Sequence, residues 1–330
     1  MSGITKPNVD LMVDGSPLTR RGFLKYVGAV AGSAIIPGGV FAEGDKQVAP
    51  EAFRFVHLAD IHVQKELGGD RGFQQCLKVI HELKPRPEFI LTGGDQVMDV
   101  SNVSEARAKE LFDLYTGIRK DSDIPFRECI GNHDVFGWHP ASKIKKDHPL
   151  YGKKMVQERL DLPKTTYSFD HKGWHFCVVD TIHRNGFRFT LADLDWLGRD
   201  LKAVGDRPKV VCSHVPVVSA SAFSDWDYDE HRHRSPLGRV CRNPGAILRL
   251  FREHRVTLAL VGHTHQNERI EYNGTVHIGE GAVSGNKWKG PRHGHPEGFG
   301  VIDVRADGTF EHRYQTFGWQ SEYRPISDET

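Results

Sequence analysis

The sequence predicts an α/β fold, a mostly parallel sheet covered by helices, and two observations predict it. From residue 53 onward, short apolar runs alternate with amphipathic helical stretches. That order lays helices over parallel strands. Polar clusters also stand where the apolar runs end: Asp60-Ile61-His62, Gly94-Asp95, Gly131-Asn132-His133-Asp134, Ser213-His214 and Gly262-His263-Thr264-His265. In such sheets ligands gather at the carboxyl ends of strands, so the pattern and the cluster positions agree.

The elements follow in order. Phe53 to Ala59 is a β-rich run that ends in Asp60. Asp70 to Leu83 has helical spacing, with Phe73, Leu77 and Ile80 on one face, and Lys84-Pro85-Arg86-Pro87 stops it. Phe89 to Thr92 is a strand, and Ser104 to Lys120 a helix capped by Ser104. Phe126 to Ile130 is the third strand. A helix is expected around Leu150 to Leu160, then a hairpin of Thr166–Phe169 and Trp174–Val179 about Lys172-Gly173. Thr190 caps a helix running to Val204. Lys209 to Cys212 is a strand, Asn243 to His254 a helix and Thr257 to Val261 a strand. Beyond Glu268, Asn273-Gly274 and Asp307-Gly308 are hairpin signals. Residues 219–242 are irregular. Without repeats or a long linker, one two-layered domain accounts for the body of the chain.

The chain has 330 residues, 38% hydrophobic and 26% charged, the balance of a soluble globular protein. A net charge of +1 makes no electrostatic case for a nucleic-acid polymer or an acidic membrane surface. Cys76, Cys129, Cys177, Cys212 and Cys241 are odd in number and scattered. Three lie inside strand-like runs, where cysteine behaves as a small hydrophobe. No disulfide framework or zinc–thiolate site is expected.

Residues 1–42 read as an address. Thr19-Arg20-Arg21-Gly22-Phe23-Leu24-Lys25 precedes a small, apolar run from Tyr26 to Phe41, and Val40-Phe41-Ala42 offers a cleavage site. This resembles a bacterial twin-arginine signal. The other reading is a short membrane anchor or a surface amphipathic helix. The Gly- and Ala-rich run falls short of the ~18–20 apolar residues a spanning helix needs, which favours the cleaved signal. The resemblance implies the twin-arginine export machinery as a partner, export in the folded state, and a periplasmic or secreted protein without stable membrane anchoring. Cleavage would leave a formal charge of −1 on residues 43–330.

A Gly-Asn pair after a strand means, by itself, only a turn. Together, Asp60-x-His62, Gly94-Asp95, Gly131-Asn132-His133-Asp134, His214 and Gly262-His263-x-His265 resemble the calcineurin-like metallophosphoesterases in order and spacing. The resemblance implies a two-layered β-sandwich of mixed sheets flanked by helices, the αββα fold of that family. It implies two metal ions. Asp60, His62 and His265 would hold one; Asn132, His214 and His263 would hold the other. Asp95 would bridge them through its two carboxylate oxygens. Carboxylate, imidazole and amide donors suit Fe, Mn or Zn, in divalent or trivalent form. The expected chemistry is attack of a metal-bridging hydroxide on a small phosphate ester. His133 would assist the leaving oxygen, with Asp134 orienting it. Gly131 would let the chain turn.

Some positions depart from the family pattern. The second Asp expected three places after the Gly-Asp motif is Asp99, one place further on. No Tyr follows Asp95 in the place that the purple acid phosphatase branch uses for an iron ligand. Val179-Asp180-Thr181 and the run Leu191 to Leu197 resemble the bacterial cyclic-nucleotide phosphodiesterase branch. A broad phosphate-scavenging phosphatase and a non-catalytic metal or phosphate-ester binder are the competing readings. His57, His175 and His277 lie within strand-like runs and read as structural; His293 and His295 lie in a Gly/Pro-rich loop beside the expected cleft. The loop Asp225 to Arg234, with Trp226 and Tyr228, is either a lid that stacks on a substrate ring or a solvated surface loop, and Trp288 is open to the same two readings.

Overall fold

In the computed structural model of the chain the described residues are 12–13, 16–17, 49–223 and 238–324. Met12–Val13 pairs antiparallel with Ser16–Pro17. The Arg20-Arg21 segment and the loop Asp225 to Arg234 lie outside the described residues. Among the described residues no helix is long and apolar enough to cross a membrane.

Two mixed sheets face each other. The first is built from β1 (Phe53–Leu58), β2 (Phe89–Thr92), β3 (Phe126–Arg127), β10 (Gly298–Val304) and β11 (Phe310–Thr316) in the order β11-β10-β1-β2-β3. Within it β1, β2 and β3 run parallel, while β10 is antiparallel to both β1 and β11. The second contains β4 (Tyr167–His171), β5 (Trp174–Val179), β6 (Lys209–Ser213), β7 (Leu258–Val261), β8 (Glu268–Tyr272) and β9 (Thr275–Gly279), ordered β8-β9-β7-β6-β5-β4. Its centre is parallel and its two edges are antiparallel hairpins.

Helices α1 (Gly69–Glu82), α2 (Glu105–Lys120) and α3 (Lys153–Leu160) cover the first sheet. Helices α4 (Leu191–Val204) and α5 (Pro244–Glu253) cover the second. The architecture is therefore αββα. The caps lie where the side chains demand them: Ser104 Oγ accepts from Arg107 N, and Thr190 Oγ1 accepts from Asp193 N while the Asp193 carboxylate reaches back to Thr190 N.

The β1 run explains why the strands read as continuously apolar. Phe53 and Phe55 point between the sheets, whereas Val56 and Leu58 point to the helices. Both faces are buried, so polar alternation is lost. Phe55 stacks on Phe89 at 5.0 Å and meets Phe176 edge-on at 5.4 Å. Each buried ring contributes about 1.5–3 kcal/mol, which makes this aromatic layer the main tie between the sheets. All five cysteines are buried free thiols.

One predicted strand is shorter than its sequence suggests. The ladder expected from Phe126 to Ile130 stops at Arg127. The cause is Glu128, buried with its carboxylate accepting from Tyr115 Oη, Arg119 Nη1 and Thr92 Oγ1. From there the backbone bonds to side chains instead: Cys129 N donates to Thr92 Oγ1, and Tyr167 Oη donates to the Glu128 carbonyl.

The carboxyl ends of β1, β2, β6 and β7 meet at one edge of the sandwich. Asp60 N donates to Gly94 O, His62 N to Asp95 O and Gly262 N to His214 O. These bonds tie neighbouring exit loops within each sheet, and His263 N, donating to Asp60 Oδ2 at 2.8 Å, joins the loops of the two sheets.

Candidate metal centre

The structure brings the seven predicted metal-site residues together. Asp60 and His62 follow β1, Asp95 follows β2, and Asn132 opens a short 3-10 turn beyond β3. His214 follows β6; His263 and His265 follow β7. Three donor groups each converge within 4.8 Å: Asp60–His62–His265, His62–Asp95–His133 and Asp95–His214–His263. Asn132 Oδ1 lies 3.0 Å from His214 Nε2 and so joins the last of them.

The tautomers are fixed by carbonyls. His214 Nδ1 donates to Gly93 O at 2.8 Å, His265 Nδ1 to Gly285 O at 2.6 Å and His62 Nδ1 to Met98 O at 3.2 Å. His263 Nε2 donates to Gly238 O at 3.0 Å. A carbonyl only accepts, so in the neutral ring each remaining nitrogen presents a lone pair. Those lone pairs face each other: His62 Nε2 and His265 Nε2 are 3.1 Å apart, and His214 Nε2 and His263 Nδ1 are 3.2 Å apart. Asp60 Oδ2 accepts from His263 N, but Oδ1 is buried without a hydrogen-bond partner. Facing lone pairs and an orphaned carboxylate oxygen fit a bound cation.

Asp95 links the two sets through one oxygen, not two. Its Oδ1 is taken by His133 N at 2.8 Å. Its Oδ2 lies 3.6 Å from His62 Nε2 and 3.3 Å from His214 Nε2.

The pKa values of the centre's groups move in both directions, set by burial and by the buried carboxylates. Burial lowers the His214 pKa, yet Asp95 and Asp60 raise it to about 10. Burial raises Asp60, but His265 and His214 hold it down to about 2. His263 falls to about 4 through burial and the neighbouring His214. Burial also pushes His62 well below its ordinary value, despite Asp95.

Two glycine positions provide the room. A Cβ on Gly131 would stand 2.1 Å from Asp95 Oδ1, and one on Gly262 would stand 2.5 Å from Asp60 Oδ2. Gly131 has a φ of −111°, ordinary extended backbone. Its glycine is there for close approach, not for the turn the sequence suggested. The ligand residues themselves are the unusual ones. Asp60, His62, Asp95, His263 and His265 all have positive φ, between 45° and 72°. Left-handed backbone at non-glycine residues clusters at functional sites.

The carboxylate beside His133 is Asp99, not Asp134. Asp99 Oδ2 lies 3.3 Å from His133 Nδ1. Burial opposes a proton on His133, but Asp95 and Asp99 outweigh it and raise its pKa. Asp134 faces the other way. Its two oxygens accept from the backbone N–H groups of Asp95, Gln96, Val97 and Gly131. It shapes the loop that presents Asp95. Burial and Asp95 push its pKa up to about 8, against the Gly131 and Val97 amides.

Two features had no strong signal in the sequence. Lys287 Nζ reaches within 3.3 Å of His133 Nε2 from 154 residues away. Trp288 is neither a stacking platform nor a surface residue. It is fully buried, and its Nε1 donates to His62 O at 2.9 Å. His57 bonds the buried Glu280, and His175 bridges Asp170 and Asp200. His295 accepts from Asn267 N, and neither it nor His293 joins a metal-capable group.

The model for calcineurin-like phosphoesterases matches residues 53–267, well over half of the chain and all seven donor residues of the centre. The chain belongs to the calcineurin-like phosphoesterase family. It is 22% identical over 264 residues to tartrate-resistant acid phosphatase type 5 of Sus scrofa, covering 72% of each chain. Over 209 residues it is 22% identical to a probable cyclic nucleotide phosphodiesterase of Psychrobacter arcticus, covering 62% of this chain and 66% of that one. A dimetal phosphatase from Danio rerio superposes with a TM-score of 0.58 at 15% identity, over 80% of this chain and 96% of the other, a likeness of fold. A calcineurin-like phosphoesterase is a hydrolase of phosphoric esters, and the donor groups above are where its metal ions would be held.

Proposed function

We propose that the chain is an exported phosphoesterase with a two-ion centre, hydrolysing phosphomonoesters or phosphodiesters, cyclic nucleotides included. The observation that carries this is Asp95 Oδ2, standing 3.6 Å from His62 Nε2 and 3.3 Å from His214 Nε2, between the two sets of donors. Asp60, His62 and His265 would hold one ion; Asn132, His214 and His263 would hold the other; Asp95 would touch both. Such a pair of ions supplies an acidified water and neutralises charge on the phosphoryl oxygens. The donor set of carboxylate, imidazole and amide favours Fe, Mn or Zn.

The chain's own residues do the rest. His133 stands at the edge of the centre with its pKa raised by Asp95 and Asp99. It holds a proton at Nε2 for the departing oxygen. Lys287, 3.3 Å from that nitrogen, opposes the proton, which makes it easier to release to the departing oxygen, and adds a cation where negative charge grows. Asp134 fixes the loop between Gly131 and Asp95. The cyclic-nucleotide reading is favoured by the relative from Psychrobacter arcticus and by the Val179-Asp180-Thr181 resemblance.

Hydrolysis of bis(p-nitrophenyl) phosphate and p-nitrophenyl phosphate, with Mn, Fe or Zn, tests the enzyme reading against the binder reading. Turnover that needs metal and is lost in Asp95→Asn is expected. Absence of metal-dependent turnover of either ester sinks the enzyme. Monoester turnover alone sinks the diesterase and favours a phosphate-scavenging phosphatase. Export through the twin-arginine route is read from the N-terminal residue of the periplasmic protein: Glu43 is expected, and an intact Met1 refutes cleavage after Ala42.

A further inference from the structure

A cavity of about 770 Å³ opens beside the metal centre, with Asn132 on its inner wall. Trp138 and Phe187 line its sides, and Arg184 and Arg242 stand on its rim. No carboxylate is among its described lining residues. The Phe187 ring meets the His263 ring edge-on at 5.1 Å, so the pocket wall touches the centre itself.

Both guanidinium groups are held in place without being neutralised. Arg184 lies 5.6 Å from the ring centroids of Trp138 and of Tyr151, and its Nη1 donates to Tyr151 Oη. Arg242 Nη1 donates to Asn185 O at 2.9 Å. Among the described residues neither forms an ion pair, unlike Arg71, Arg107, Arg159 and Arg199. Two ordered, unpaired guanidiniums are a recognition element for a phosphate or carboxylate. Apolar ring walls between them and the centre suit an aromatic or heterocyclic group.

We propose that this pocket receives the organic part of the ester and selects substrates whose organic part carries a ring and a second anionic group, a phosphate or a carboxylate. The inference rests on the phosphoesterase reading and narrows it. An ester whose only anionic group is the phosphoryl fills the centre and leaves both arginines without a partner; one with a second anionic group engages both ends.

The test is calorimetric binding of unreactive phosphonates to the manganese-loaded full chain, which does not depend on turnover. The probes are phenylphosphonate, 4-carboxyphenylphosphonate and benzene-1,4-bisphosphonate. A second anion is expected to tighten binding about tenfold, the size of one charge-assisted hydrogen bond. That ratio should collapse toward one in Arg184→Gln/Arg242→Gln and recover in part in Arg184→Lys/Arg242→Lys. Gain with both probes that carry a second anionic group assigns any second anion, and gain with the bisphosphonate alone assigns a second phosphate. A ratio near one in the wild type overturns the proposal, as does a ratio that survives in the glutamine variant. Loss of ester turnover with the ratio intact would sink the enzyme reading and leave the pocket standing.

Discussion

Replacing Gly72 by Ala should destabilise the protein, against the usual rule for helices. Gly72 lies inside α1, where alanine normally gains about 0.5–1 kcal/mol over glycine. Here a Cβ would stand 2.2 Å from Trp288 Cζ3 and 2.8 Å from Cε3 and Cη2. The indole cannot step aside. It is fully buried, bonded through Nε1 to His62 O, and packed edge-on against Trp319 at 5.6 Å. Overpacking a rigid core costs about 1–3 kcal/mol, and three ring-atom contacts against a pinned ring belong at the upper end. The net effect is a loss of about 2 kcal/mol, or a fall in Tm of about 4–8 °C. Gly117, inside α2, is the control, because nothing lies within 4 Å of its Cβ position. Gly117→Ala should gain about 0.5–1 kcal/mol. Thermal and denaturant melts of both variants decide. A Gly72→Ala protein as stable as the wild type would refute the claim that Trp288 is fixed beneath the centre.

Three further outcomes are expected. Chelation should lower the Tm: metal free at 100 times its Kd stabilises by about 2.7 kcal/mol, and Asp95→Asn should show little of that shift; equal chelator shifts in the two proteins would contradict a centre built on Asp95. Asp99→Asn removes the anion beside His133 Nδ1, so the imidazolium pKa falls and the alkaline limb of the kcat–pH profile moves to lower pH; an unmoved limb would show that His133 acts without its proton. Burial opposes charge on His57, but Cys212 and Glu280 hold its pKa up to about 9. The folded state therefore keeps a proton that the unfolded chain releases near pH 6.5. That stabilisation is complete below about pH 6.5 and is lost as pH rises through 9. Glu280→Gln should flatten the decline in Tm across that window, and an unchanged slope would assign the decline elsewhere.

The fold was legible where its information is local. Periodicity located the helices, and the two Gly-containing turns located the C-terminal hairpins to within a residue or two. What periodicity could not show is which strands pair across long separations: β10 lies against β1, with Ile302 opposite Phe55, and turns a parallel sheet into a mixed one. The strand through Ile130 was overestimated because Cys129 and Ile130 are buried without being in a ladder. At the centre, the donor types marked their own positions by standing at strand ends. Orientation was not legible. Asp134 is the neighbour of His133 in sequence, yet the 3-10 turn sends its carboxylate to four amides and leaves Asp99 to face the ring. Lys287 and Trp288 arrive on a loop after β9, where no spacing rule links them to His133 or His62.

The left-handed backbone at five of the ligand positions narrows which metals this scaffold could be redesigned to hold. Asp, Asn and His enter that region more readily than other side chains with a Cβ. Cysteine and glutamate have no such advantage, and a poorly tolerated left-handed residue costs about 1–3 kcal/mol. Exchanging Asp60, His62, Asp95, His263 or His265 for a thiolate would therefore be penalised twice, once in donor geometry and once in the loop. Conversion to a soft-metal site is blocked by the main chain before coordination chemistry is consulted, and the route left open to changing metal preference runs through Asn132 and His214, whose φ values are not positive.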